Sequence, residues 1–443
     1  MKGTGDFKNR NCRRSQKWKA QKFQKYYIQE ISKKRNEAGT NEAKSISATP
    51  KKKKRILPIC LLTLLAVVVL GAGGIFGLWH NEILSAASIQ QLSGPNNAHQ
   101  DGAVYQMKVS GDYYFDDFLA QGGASNDAEL IDFVTKNITR GLIDVSISES
   151  DIACSSFTGA TPEGHRLFGR NYDFKQTNTC IVFTKPGKGR HASVSTVDLQ
   201  FIGIDKEKGI SSLMDRIKSL AATYAPLDGM NDAGVSCGIY MTYQGGDETV
   251  PTDQNTDKPD LTSTTMLRMV LDYAESVEEA VEMISRYDLH DSAGTSYHYM
   301  IADSTGKSAI LEWVNETDKT DNDGSKRKLT VTYNDNDPAM ASRDYQCVTN
   351  FIVAPGYYAS DEEKAGLDRY ELLHSQLQEK GGLFADKEEA MGLLAQVGRR
   401  NWNNDDSNGC TVHSVVYDLT DRTVLWTGNE HYGEEGYVYE FQL

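Results

Sequence analysis

The chain has 443 residues, of which 39% are hydrophobic and 24% charged, enough apolar material for one large folded domain or two; this composition excludes a wholly disordered or fibrous chain. Its net charge of −14 is unevenly spread. Met1 to Arg55 carries 18 Lys and Arg against 4 Asp and Glu, a net of +14, so the remainder carries −28 and the two parts suit different environments.

The arm 1–55 is polar, basic and poor in apolar residues, with aromatics between Trp18 and Tyr27. Such a composition predicts disorder and a role in setting topology. Its charge suits anionic lipid headgroups or nucleic acid, but no enzymatic role and no nucleic-acid partner is assigned to it. Residues 56–79 follow, 24 residues without a charge, next to the block Lys51-Lys52-Lys53-Lys54-Arg55. A bilayer core needs about 20 apolar residues in a helix, and the positive flank keeps the N-terminus inside. The expectation is an uncleaved signal anchor, single-pass, with a cytoplasmic N-terminus and the rest outside. A cleaved signal peptide would have a shorter charged region and a shorter apolar stretch. Residues 80–105, rich in Ser, Gly, Gln and Asn, read as a linker.

The chemistry-bearing stretch is Cys154-Ser155-Ser156-Phe157, followed by Phe168-Gly169-Arg170-Asn171-Tyr172-Asp173-Phe174. It gathers a thiol, a guanidinium and a carboxylate in segments that read as strands, the inventory of a cysteine nucleophile with electrostatic support. A lone cysteine is more often a small buried hydrophobe; its ordered companions favour chemistry. Seven cysteines are present, Cys12 in the arm, Cys60 in the apolar run, and Cys154, Cys180, Cys237, Cys347 and Cys410 beyond it. An odd external count without CxxC spacing fits neither a disulfide scaffold nor a zinc site and leaves at least one thiol free.

Further along, helical spacing appears at Met266, Met269, Val270 and Ala274. It returns at Val277, Ala280, Val281 and Ile284 behind a capping-box pattern of Ser276 and Glu279. Alternation predicts strands at Ser296 to Met300, Ser308 to Trp313 and Leu329 to Tyr333, and a hairpin from Thr411 to Trp426 turning at Leu419-Thr420-Asp421-Arg422. Two more helices are predicted at Leu367 to Gln378 and Asp386 to Val397. The class is α+β in layers, with no internal repeat. An acidic turn between Asp318 and Gly324 is a weak calcium candidate, and no cofactor or metal is expected. Polar loops such as Gly245 to Asp260 read as a lid or an edge cover.

From Cys154 to Phe174 the sequence resembles the start of the choloylglycine hydrolase and linear amide C–N hydrolase family. The match runs on through Asp228-Gly229-Met230-Asn231, Ser276 to Val281, Ile301 to Ser308, Val348-Thr349-Asn350 and Asp368-Arg369-Tyr370. The resemblance covers most of Cys154 to Leu443. It implies the four-layer αββα sandwich of N-terminal nucleophile hydrolases, here preceded by a single transmembrane helix. It also implies catalytic roles for Cys154, Arg170, Asp173, Asn231, Asn350 and Arg369, with Arg399 and Arg400 as neighbouring alternatives to Arg369.

Cutting the bond between Ala153 and Cys154 would give Cys154 a free α-amine with an ordinary pKa near 7.7–8.0, so that one residue supplies nucleophile and base. Arg170 would favour the thiolate, Asp173 would orient the amine, and the amides of Asn231 and Asn350 would serve the oxyanion. With 153 residues ahead of the cysteine, the chain is more similar to the acid ceramidase and N-acylethanolamine amidase branch than to the bacterial bile-salt branch. Residues 106–153 then read as a propeptide cut autocatalytically, and 154–443 as the catalytic domain.

The substrate expected is a small molecule with a linear non-peptide amide, of bile-salt, penicillin V or N-acyl amine type; the external −28 charge disfavours long-range steering of anions. An acyltransferase of the same fold and a catalytically silent surface binding protein are the alternatives. Product analysis with added amines separates the first, and a thiol-reactive acyl probe on Cys154→Ala separates the second. The oligomeric state is left open.

Overall fold

The computed structural model describes residues 77, 79–142, 153–187, 189–243, 250–315, 323–359, 362–402 and 409–443. The basic arm 1–55, all of the apolar run but Gly77 and Trp79, residues 143–152, and the acidic turn save Asp323 and Gly324 lie outside them. Among the described residues no helix is long and apolar enough to cross a membrane.

The strands in chain order are β1 (Gln90–Ser93), β2 (Val104–Lys108), β3 (Ala153–Ala160), β4 (Arg166–Phe174), β5 (Thr179–Thr184), β6 (Ser193–Asp198), β7 (Asp228–Asn231), β8 (Val235–Met241) and β9 (Asp260–Thr262). Then come β10 (Asp288–His290), β11 (Tyr297–Asp303), β12 (Ser308–Val314), β13 (Lys328–Tyr333), β14 (Cys347–Val348), β15 (Cys410–Asp418), β16 (Thr423–Gly428) and β17 (Val438–Gln442). The helices are α1 (79–87), α2 (Phe115–Ala120), α3 (Asp127–Asn137), α4 (Leu213–Lys218), α5 (Ser263–Tyr273), α6 (Val277–Ile284), α7 (Leu367–Lys380), α8 (Lys387–Gln396) and α9 (Arg399–Trp402).

Two sheets carry the fold. The larger runs β1-β2-β5-β6-β7-β8-β11-β12-β13, the smaller β14-β3-β4-β15-β16-β17, and β9 pairs with β10 apart from both. Side chains alternate across each strand, so every strand has two differently used faces. On β8, Cys237 turns its thiol to the Leu267 carbonyl of α5, while Gly238 and Tyr240 face Arg170 and Ser156 of the smaller sheet. On the smaller sheet, Phe157 packs on Phe384 and Asn171 donates to the Leu394 carbonyl of α8, while Ser156, Arg170 and His413 face inward. The layers therefore run α5 and α6, larger sheet, smaller sheet, α7 and α8. The α+β class read from the sequence is found.

The predicted elements are placed as their periodicities require. Ser276 caps α6 by accepting the Glu279 N–H at 3.2 Å, but the Glu279 carboxylate takes the Glu275 N–H at 2.8 Å, one residue short of a reciprocal box. Asp386 and Val397, read as ends of a helix, are the two caps of α8.

Residues 80–105 are not a linker. They form α1, β1 and the start of β2, and β2 pairs in parallel with β5, Tyr105 opposite Cys180. The polar composition that suggested a linker is shared among α1, the edge strand β1, whose residues are exposed or half-buried, and the 94–103 connection. Residue 106, where the propeptide-like segment was expected to begin, lies inside β2.

This N-terminal part is built into the core. Phe115, Phe118, Phe133 and Tyr113 gather around Tyr224 with ring centroids 5.6 to 6.4 Å from it, and Phe118 is fully buried. Tyr113 donates to Asp272 of α5, and Arg190 reaches Asp112 and Asp272. At a second contact, buried Asp101 accepts from Arg400 at 3.0 Å and pairs with His431 at 2.9 Å. Asn429 exchanges two 3.1 Å hydrogen bonds with the Gly102 backbone. Between Asn429 and His431, the Glu430 carboxylate accepts the Arg400 and Thr411 N–H groups.

Phe118→Ala removes a fully enclosed ring and is expected to destabilise the protein by about 3–5 kcal/mol in urea unfolding, whereas a loss under about 1 kcal/mol would mean that the N-terminal part is loosely seated. Burial pushes the Glu430 carboxyl up to about 7, against the two N–H donors, from an ordinary 4.5. The folded state then binds more protons than the unfolded state between pH 4.5 and 7, so this group's contribution falls as pH rises through that window and is flat above it. The stability of Glu430→Gln relative to wild type should rise across the same window; parallel curves would refute a perturbed Glu430.

Candidate active site

The spacing of Cys154 and Arg170 is hairpin geometry. β3 and β4 pair antiparallel with Cys154 opposite Tyr172 and Ser156 opposite Arg170, so Cys154 and Arg170 are diagonal neighbours on one face. A long side chain spans that separation. The Arg170 Nη2 lies 3.3 Å from the Cys154 Sγ and donates to the Ile239 carbonyl at 2.5 Å. Its Nη1 donates to Asp228 Oδ2 at 2.6 Å and to the Leu227 carbonyl at 2.7 Å, so the guanidinium bridges the two sheets.

Two more residues reach the backbone of Cys154. Its N–H donates to Asn350 Oδ1 at 3.3 Å, and its carbonyl accepts from Arg369 Nη1 at 3.0 Å. Arg369 also donates to Asp173 Oδ2 at 3.0 Å and to Asn350 Oδ1 at 2.6 Å. It stands in the first turn of α7, where Gly366 has φ of 74° and a Cβ would lie 2.9 Å from the Arg369 Nη2; only glycine suits both conditions. Asp173 is completed by the Thr411 hydroxyl at 2.6 Å.

Asn350 is held from behind. The His298 ring bonds the Glu312 carboxylate and the Thr349 carbonyl, each at 2.9 Å, while Glu312 accepts the Val353 and Ala354 N–H groups at 2.8 Å. The loop carrying Asn350 is thus tied to β11 and β12.

Of the six residues singled out in the sequence, five meet here: Cys154, Arg170, Asp173, Asn350 and Arg369. Asn231 does not join them. Its amide donates to the Ala274 carbonyl at 2.8 Å and its oxygen accepts the Val235 N–H at 2.9 Å, so it ties the β7–β8 turn to the end of α5. Asn350 is present in the opposite sense to an oxyanion donor. Its amide nitrogen is spent on the Met241 carbonyl at 2.7 Å, and its oxygen faces two donors. Asp173 bonds Arg369 and Thr411 rather than the Cys154 nitrogen, because that nitrogen is a peptide N–H already given to Asn350. Arg400 serves Asp101 and Asn429 instead, and the Arg399 N–H donates to the Thr411 hydroxyl.

The electrostatics describe a resting thiol. Cys154 is 0% exposed, and burial pushes its pKa up; Arg170 opposes this and Asp173 adds to it. Arg170 thus favours the thiolate as expected, but desolvation is the larger effect in this state and the thiol's pKa stays raised. Burial likewise raises Asp173, against Arg369 and the Thr411 hydroxyl. For Asp228 burial is overcome by His413 and Arg170, which hold it down to about 2.

Sequence reading gave no role to Asp228, His413, Tyr417, Thr411 or His298. The available signal was polar residues in buried strands: His413 and Tyr417 share one face of β15, a bulge turns Thr411 to the Asp173 face, and His298 stands in β11. All five described cysteines are buried and unpaired. Among the described residues, His165, Asp418 and Asp421 are the group whose ligand atoms converge enough to share an ion, and it does not include Cys154.

Residues 154–322 match the family described as linear amide C–N hydrolases, choloylglycine hydrolase family. No curated protein matches the chain. Among solved structures, a mutant of conjugated bile acid hydrolase from Clostridium perfringens is similar at 15% identity and a TM-score of 0.44, over 66% of this chain and 92% of that one. Penicillin V acylase from Agrobacterium tumefaciens is similar at 17% identity and a TM-score of 0.40, over 66% and 86%. The stretch that this family model matches opens at Cys154 and carries the thiol, Arg170 and Asp173 on one hairpin.

Proposed function

We propose that the chain is the precursor of a cysteine N-terminal nucleophile amidohydrolase that cuts itself before Cys154 and then hydrolyses a linear, non-peptide amide. The observation that carries this reading is the threefold hold on one residue: Arg170 on the thiol, Asn350 on the nitrogen and Arg369 on the carbonyl of Cys154. A structural cysteine has no need of such a hold.

In the cut, the Cys154 sulfur attacks the Ala153 carbonyl carbon and the thiol proton passes to the Cys154 nitrogen. The peptide C–N bond breaks, leaving a thioester and a free amine. Water then hydrolyses the thioester, releasing Ala153 as a carboxylate and restoring the thiol. The new amine sits where the peptide nitrogen was, against Asn350 Oδ1, an acceptor that orients it.

In turnover the amine takes the thiol proton as the sulfur attacks the substrate amide, and gives it to the departing amine. Water cleaves the acyl-enzyme by the same route. Arg170 offsets charge on sulfur, and Arg369 holds Asp173 and Asn350 in register. Asn231 has no part in this scheme. The substrate class is an N-acyl amine, conjugated bile salt or penicillin V type of amide.

The N-terminal part stays bound after the cut in this reading, since β2 lies inside the larger sheet and Asp101 and Tyr113 are buried in the rest. The apolar run 56–79 anchors the precursor as a single-pass membrane protein with the catalytic part outside. Its length and basic flank support this.

Intact mass and N-terminal sequencing test the proposal. The wild type is expected to yield a 290-residue fragment beginning at Cys154 and Cys154→Ala a single uncut chain. A folded wild type that stays whole, or an equal cut in both, would reject it. The cut protein is then expected to release amine from at least one of glycocholate, penicillin V and an N-acylethanolamine.

A further inference from the structure

Arg170 supports Cys154 only while its guanidinium stays turned towards the sulfur, and the carbonyls of Leu227 and Ile239 leave that charge without a counterion. Asp228 supplies one, entirely buried, with its Oδ2 2.6 Å from Arg170 Nη1. The same Oδ2 takes a second bond from His413 Nε2 at 2.8 Å, and Oδ1 takes the Tyr417 hydroxyl at 2.6 Å. The His413 ring is itself clamped flat. It stacks on Tyr172 at 5.3 Å and 28° and on Trp426 at 5.7 Å and 12°. Its Nδ1 is buried without a hydrogen-bond partner, so the ring is held by stacking and by the one bond to Asp228.

A buried polar atom left unpartnered has a cost of about 1–3 kcal/mol. An apolar ring between Tyr172 and Trp426 would avoid it. The imidazole therefore stands there for its Nε2 bond, not for packing. That bond fixes the rotation of the Asp228 carboxylate, which in turn fixes the fork of Arg170 against Cys154.

We infer that Asp228 and His413 are positioning residues for the nucleophile, in the line His413 to Asp228 to Arg170 to Cys154 Sγ. This rests on Cys154 being the nucleophile. Asp228 keeps Arg170 charged, extended and turned to the sulfur, and His413 keeps Asp228 from rotating away.

Two substitutions at His413 separate this from a packing role because they predict opposite orders. His413→Phe keeps the flat ring and loses the donor; His413→Gln loses the ring and keeps a donor at similar reach. The readouts on the full chain are the rate of cutting before Cys154 and the rate of Cys154 alkylation by iodoacetamide, located by peptide mass. His413→Phe is expected to slow both by about 10–100-fold, the range seen when an outer partner of a functional group is removed. His413→Gln should stay within about threefold of wild type. The reverse order, or wild-type rates in His413→Phe, overturns the positioning role while leaving the nucleophile in place. A wild type neither cut nor alkylated at Cys154 removes the nucleophile, and the inference with it. Should His413→Phe not fold, the isosteric Asp228→Asn is the second measurement; it is expected to slow both reactions at least as much, and wild-type rates there overturn the inference.

Discussion

The ion pair of Arg170 and Asp228 is the constraint around which the interior is arranged. Two side chains with no solvent exposure meet at 2.6 Å between two sheets, and each ion so buried loses several kcal/mol of hydration. The remaining donors and acceptors offset that loss: carbonyls of Leu227 and Ile239, the His413 ring, the Tyr417 hydroxyl and the Tyr240 ring 5.0 Å below the guanidinium. Each partner sits at a fixed strand register, so the pair also sets how the sheets lie on one another. An apolar pair of equal volume would hold them at least as well, which points to chemistry as the reason for the charge.

The charges close to Cys154 are balanced. Arg170 and Arg369 face Asp228 and Asp173, leaving no net charge for a thiolate to neutralise. In so dry a site a further negative charge is costly, which is why the thiol rests protonated. The proposed cut offers a way round this cost, because the free amine at the Cys154 nitrogen takes the thiol proton and the ammonium and thiolate then form together with no change in net charge. In that scheme the base that activates the nucleophile is created by the cut itself.

How much of this was legible in the sequence depended on range. Cys154, Arg170 and Asp173 lie on one hairpin, and their spacing records local antiparallel pairing, so they were readable together. Periodicity likewise placed α5 to α8, β11 to β13, β15 and β16. Asn350 and Arg369 entered through resemblance, which does not say which end of the Asn350 amide faces the site; here its nitrogen goes to the Met241 carbonyl and its oxygen to the Cys154 N–H and Arg369. Asn231 stood in a motif for a reason of turn geometry. His413 and Asp228 are 185 residues apart, and nothing local in either segment indicates the other. Residues 80–105 misled because an edge strand and a linker share a polar composition, and only the pairing of β1 with β2, and of β2 with β5, distinguishes them.

The hold on Cys154 has a consequence for biosynthesis. Its parts come from strands and loops 16, 196 and 215 residues downstream, and Thr411, which completes Asp173, lies 238 residues beyond that carboxylate. The Arg170 contact lies within one local hairpin, whereas the hold on the nitrogen and carbonyl of Cys154 needs Asn350 and Arg369 to have folded onto it. If the proposed cut requires this hold, it follows the joining of the two sheets and of α7 and does not precede it.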